Sequence, residues 1–181
     1  MKKLFLGLYI GFFPAVVFAQ TPSETAMTYI NHLHFREYEK AVEYIDVDEL
    51  RVFRENLGFY ETLLESEQAK FLKVFFGPEA TPDSVASMSD ERFFASFLAF
   101  SFRNIEAMGE LNFKNTRILG GVPEGNDMMH LVVRSGASLD DISISGMEVM
   151  SLRKGSDNIW RLMMTGSIKG LSSKIRTAFG H

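Results

Sequence analysis

The chain has 181 residues, 46% of them hydrophobic and 23% charged, with a net charge of −4 at neutral pH. That length fits one domain with a substantial core, and the acidic balance argues against a nucleic-acid partner. With no cysteine anywhere, disulfides, thiolate nucleophiles, thiolate-held zinc and a lipid-modified cysteine are all excluded.

Met1-Lys2-Lys3 followed by an apolar run to Ala19 has the form of a signal peptide: a basic start, a short hydrophobic stretch interrupted by Pro14, and small residues before the cut. Cleavage is expected between Ala19 and Gln20, leaving residues 20–181 as a single domain with net charge −6. The expected location is the periplasm or outside the cell. No second long apolar run follows, so no transmembrane segment is expected after cleavage; an uncleaved leader acting as an anchor is the alternative.

Thr21-Pro22-Ser23-Glu24 reads as a capping box with proline at the first helical position. The helix it opens carries Ala26, Tyr29, Ile30 and Leu33 on one stripe, and Tyr38, Ala41, Tyr44 and Ile45 extend the theme in a short second segment. A further helix, with Asp48 as its cap, places Leu50, Phe53, Leu57, Tyr60 and Leu64 at steps of three and four. Phe71, Leu72, Phe75 and Phe76 continue in helical spacing until Gly77-Pro78 ends them. Residues 77–88 are expected to form a surface loop. Ser87 or Ser89 then opens a helix to about residue 108 whose phenylalanines cover so wide an arc that burial on more than one side is expected.

After Gly109 the period shortens to two. Strands are expected at about 111–119, 127–135, 142–153 and 158–165, joined by short turns that require an antiparallel meander. A short helix is expected over 168–179, docked back on the domain rather than lying on a membrane. The fold class is therefore α+β, with N-terminal helices packed on a four-stranded antiparallel sheet.

This order of helices, an aromatic helix and a terminal meander ending at Trp160 resembles the NTF2-like superfamily over roughly residues 21–165. The resemblance implies a strongly curved sheet wrapped around helices into a cone with an apolar pocket, and often a dimer through the sheet. It lacks a short hairpin before residue 90 and has the extra tail helix. Relatives include ketosteroid isomerase-like and dehydratase-like enzymes as well as binding modules, so kinship of fold does not choose between chemistry and binding. An isomerase-type site needs an aspartate base in a pocket, and here the only strand aspartate, Asp127, stands at an edge. No catalytic residue is carried over.

On the second strand His130 and Arg134 share a face with Met128 and Val132, whereas Met129, Leu131 and Val133 form a wholly apolar face for the helices. Glu148 and Arg161 on neighbouring strands are candidates to join the mixed face, with a bulge near Gly146 leaving register open. Cross-strand ion pairs or a dimer rim compete there with a ligand site. Six methionines fall in the last three strands; plain packing is the first expectation, an apolar pocket the second and a Cu(I) site the third. Candidate ligand-binding residues are His130, Arg134, Glu148, Met150, Trp160 and Arg161. His32 and His34 are two apart on a helix, about 200° around its axis, and cannot share a metal. No catalytic, metal or cofactor residue is assigned, and no phosphate-loop, dinucleotide or nucleophile-elbow pattern occurs. The expected function is non-enzymatic binding of an apolar small molecule, lipid or partner segment. An interaction module without a small ligand, or an acid–base enzyme on a small hydrophobic substrate, is the alternative.

Overall fold

Thr21 begins the first helix by reciprocal capping: its hydroxyl accepts from the Glu24 amide at 3.2 Å while its own amide donates to the Glu24 carboxylate at 2.7 Å. Two amides that a helix start leaves unpaired are thereby satisfied. The structure, a computed structural model, describes residues 20–107, 109–164 and 166–179. The leader and its cleavage site fall at the edge of or outside these residues.

Helix α1 (Pro22–His34) is followed by α2 (Tyr38–Val42) and α3 (Val47–Leu57). The cap of α3 is Asp46 rather than Asp48, since the Asp46 carboxylate accepts the Asp48 amide at 3.0 Å. The apolar stripe through residue 64 is not one helix, because α3 gives way to a 3-10 turn at Gly58–Thr62. Helix α4 (Glu65–Phe76) stops at Gly77, whose φ of 105° suits glycine alone. The expected loop at 77–88 contains a further short helix, α5 (Pro82–Ala86), because Thr81-Pro82-Asp83-Ser84 repeats the capping chemistry of Thr21 with serine as the reciprocal partner.

Helix α6 (Asp90–Glu106), capped by Ser89, runs through the middle of the helical layer and packs on α2, α3 and α4. The Phe53 ring of α3 meets Phe93, Phe94 and Phe97 edge-on at centroid distances of 6.4, 4.8 and 4.9 Å, the orientation aromatic quadrupoles prefer. Burial fades toward the C-terminal end of α6, where Phe100 and Phe102 are half-buried and Ile105 is exposed.

The sheet is an antiparallel meander in the order β1-β2-β3-β4: β1 (Leu111–Glu124), β2 (Met128–Leu139), β3 (Ile142–Lys154) and β4 (Trp160–Leu162). The first two strands run further into the turns than expected, and the last is only three residues long. Gly125 at φ 65° and Asp140 at φ 49° make the tight reversals. Register shifts fall in β1, between Lys114 and Arg117 and between Ile118 and Gly120. No shift occurs near Gly146, contrary to expectation: β2 and β3 pair without interruption from Met128 opposite Arg153 to Leu139 opposite Ile142. Close approach explains Gly136, where a Cβ would stand 2.8 Å from the Lys114 carbonyl oxygen.

The free edge of β4 is covered by the segment after α2. Asp46 donates its amide to the Leu162 carbonyl and Leu162 donates to that of Tyr44, both at 2.8 Å, and Arg153 pairs with Asp46 at 2.9 Å. An exposed strand edge is a template for unwanted pairing, and here the helical layer removes it. Leu131, Val133, Met150, Leu152 and Leu162 are buried on the inner side of the sheet. Helix α7 (Gly166–Ala178) returns to α3, with Ile175 buried and the Phe179 ring against Phe71 at 5.3 Å. No helix among the described residues is long and apolar enough to cross a membrane.

Candidate functional site

Alternate residues of a strand share a face, so the uninterrupted β2–β3 register decides what looks toward the helices. Leu131 stands opposite Met150, Val133 opposite Glu148 and Ser135 opposite Gly146. All of these belong to the inner face. Glu148 therefore does not join His130 and Arg134, as the supposed bulge allowed; it is on the opposite side of the sheet.

Past Val133 the helices stop filling the inner face, and the far ends of the strands leave Ile142 and Ile144 exposed. Between the filled core and this bare end lies a cavity of about 310 Å³. Helix α1 contributes Tyr29, Ile30, Leu33 and His34, α6 contributes Leu98 and Phe102, and the start of α7 contributes Ile168. The sheet supplies Phe113, Thr116, Ser135, Glu148 and Met150.

Each polar group here has a local reason for its position. The first β1 irregularity, with Asn115 at φ 52°, takes Thr116 out of the regular ladder and turns it into the cavity wall. Its Oγ1 is buried and, among the described residues, has no hydrogen-bond partner. His34, in the last turn of α1, stacks on Phe113 with centroids 4.2 Å apart and planes 13° from parallel. Burial lowers its pKa, favouring the neutral imidazole. Tyr29 is buried, and its phenol is pushed above its ordinary range chiefly by burial and secondarily by the negative charge of Glu148. Tyr29 is thereby kept a hydrogen-bond donor. The chemistry available is apolar enclosure, three aromatic rings, an imidazole, a carboxylate and an unused hydroxyl.

Of the six residues singled out in the sequence, Glu148 and Met150 meet in this cavity and four do not line it. His130 is on the outer face, bonded through Nδ1 to Ser151 Oγ at 2.8 Å and through Nε2 to Glu124 at 2.7 Å. Arg134, also outside, reaches the Met147 sulfur at 3.8 Å. Trp160 packs at the edge with Lys154 Nζ 6.0 Å from its ring centroid. Arg161 grips Asp157 with both terminal nitrogens, at 2.6 and 3.1 Å, and holds that carboxyl down at about 2. Its work is local to the β3–β4 turn. Thr116 and Ser135 carried no sequence signal and Tyr29 only that of a buried stripe, since each is brought to the cavity by tertiary packing or by an irregular strand.

A larger depression of about 420 Å³ lies over Arg36, Tyr38, Lys40 and the middle of α6. Apart from Glu39, its lining charges are already paired: Lys40 with Glu37 at 2.7 Å and Arg36 with Glu106. It offers a ligand little that is unsatisfied. Among the described residues no three histidine, aspartate or glutamate side chains converge as a metal site. No family model matches the chain, and no curated protein or solved structure matches it either.

Proposed function

We propose that this chain is an exported, NTF2-like binding domain that holds a small apolar molecule between α1, α6 and the inner face of the sheet. The observation that carries the reading is the cavity of about 310 Å³, walled mainly by aliphatic and aromatic side chains with a few polar groups among them. This is the general make-up of small-molecule sites, which start at roughly 300 Å³. A cavity of this size favours a ligand of one or two rings, or a short chain, over a whole lipid. Each ~100 Å² of its apolar surface removed from water contributes about 2.5 kcal/mol before the losses of association are counted. Export rests on the Lys2-Lys3 start and the apolar run to Ala19.

The substitution Ser135→Phe tests this directly. Ser135 is half-buried on the inner face, and the facing Gly146 has open space on its side-chain side, so a phenyl ring at 135 enters the cavity without meeting backbone. A fluorescence titration of residues 20–181 with an apolar naphthalene probe is expected to saturate at one per chain. The variant should bind at least tenfold more weakly while melting within a few degrees of the parent. Equal binding by the two proteins refutes the reading.

Acid–base chemistry on a small hydrophobic substrate is favoured by one observation, the presence of the Glu148 carboxylate and the Tyr29 phenol in the same cavity. A bound molecule recovered chemically changed after incubation would decide for catalysis; recovery unchanged decides for binding alone. For self-association we propose the outer face, where Val122, Met147 and Val149 are exposed beside Arg134. Sedimentation should show a dimer that Arg134→Glu weakens, and a monomer at all concentrations would rule the surface out.

A further inference from the structure

Glu148 is the only formally charged side chain among the described residues that line the cavity. Among those residues no lysine or arginine forms an ion pair with it and no donor is hydrogen-bonded to it. Glu37, Asp46 and Asp157, by contrast, have cationic partners. A carboxylate without a counter-charge on the wall of an apolar cavity raises the potential cost of every anion placed there and lowers that of a cation.

The groups around it complement the same charge. Tyr29, Phe102 and Phe113 line the cavity with it, and the Phe102 and Phe113 rings meet edge-to-face at 5.9 Å. Aromatic faces carry negative quadrupole potential and attract ammonium groups within about 6 Å. Thr116 Oγ1, buried and without a partner among the described residues, has lone pairs for one N–H. His34 adds no competing charge while its imidazole is neutral.

We propose that the ligand is an amine: a protonated ammonium head placed at Glu148, with an apolar body lodged among Tyr29, Phe102, Phe113 and Met150. This rests on the reading of the cavity as an apolar-ligand site and adds the chemical class of what it takes. Glu148 is exposed at the open side of the cavity, so the head keeps part of its hydration while the body is enclosed. The discrimination expected is accordingly moderate. An exposed ion pair together with one or two cation–aromatic contacts corresponds to about tenfold in affinity.

The test uses residues 20–181 and three probes that share one naphthyl-ethyl body and differ only in ending as an ammonium, a hydroxyl or a carboxylate. With the native protein the amine should bind about tenfold more tightly than the alcohol, and the carboxylate more weakly than both. Glu148→Gln should abolish the preference for the amine, so that amine and alcohol bind the variant within about twofold of one another, and an unchanged melting temperature certifies that the fold is intact. Equal affinities for amine and alcohol, or an amine preference that survives Glu148→Gln, overturn the assignment of the amine while leaving apolar binding in place. Failure of all three probes to bind overturns both together.

Discussion

Replacing Phe71 with alanine is expected to destabilise the domain by about 3–5 kcal/mol. Phe71 is fully buried, and its ring touches those of Phe59, Tyr60, Phe75, Phe76 and Phe179 at centroid distances from 4.7 to 6.4 Å. It lies on α4 and joins the neighbouring 3-10 turn to the end of α7, which is distant in sequence. Removing it loses the transfer free energy of the ring and leaves a hole that those separately anchored neighbours close only in part. At roughly 2–4 °C per kcal/mol for a domain of this length, the melting temperature should fall by ~10 °C. Phe35→Ala is the control, because that ring is 75% exposed and its loss should cost within about 0.5 kcal/mol. Calorimetric melting of the two variants checks the pair, and similar melting points would contradict the packing described.

Arg54→Ala should be nearly as damaging, at about 2–4 kcal/mol, for an electrostatic reason. The guanidinium of Arg54, on α3, donates to the carbonyls of Val85 at 3.2 Å, Ala86 at 2.9 Å and Met88, and to the Asp90 carboxylate at 3.1 Å. It also lies 5.2 Å from the Phe93 ring centroid. One planar fork thus caps the C-terminal carbonyls of α5 and ties them to the start of α6. Truncation leaves several acceptors without their donor. Arg54→Lys should recover less than half of the loss, since a single ammonium cannot reach this spread of acceptors. Urea unfolding measures both; a lysine variant as stable as the parent would mean that charge alone, and not the fork, secures the α5–α6 junction.

Local rules made most of the helical layer readable. Thr21 and Ser89 cap, Gly77 stops, and the apolar steps through Phe53, Phe71 and Phe93 all describe elements whose causes lie within a few residues. Where a second local signal was overlooked, as at Thr81 to Ser84, the short α5 was read as loop. Strand content and antiparallel pairing were equally legible from the two-residue period. Register was not. A strand slipped by one residue exchanges its faces, and supposing a bulge at Gly146 left Glu148 free to join the outer face, whereas the irregularities belong to β1. That single difference separates a surface ion-pair candidate from the one formal charge among the described residues of the cavity wall. Tyr29 and Thr116 were hidden for another reason: a helical stripe reports that Tyr29 is buried but not what it is buried against, and no sequence period announces the bulge that turns Thr116 inward.

The decisive measurement is a diffraction structure of residues 20–181 crystallised with the naphthyl-ethyl amine. The account predicts density for the ring system between Tyr29, Phe113 and Met150, with its ammonium within about 4 Å of the Glu148 carboxylate. Density on the outer face at Val122 and Val149 with the cavity empty, or no bound probe at saturating concentration, would contradict it.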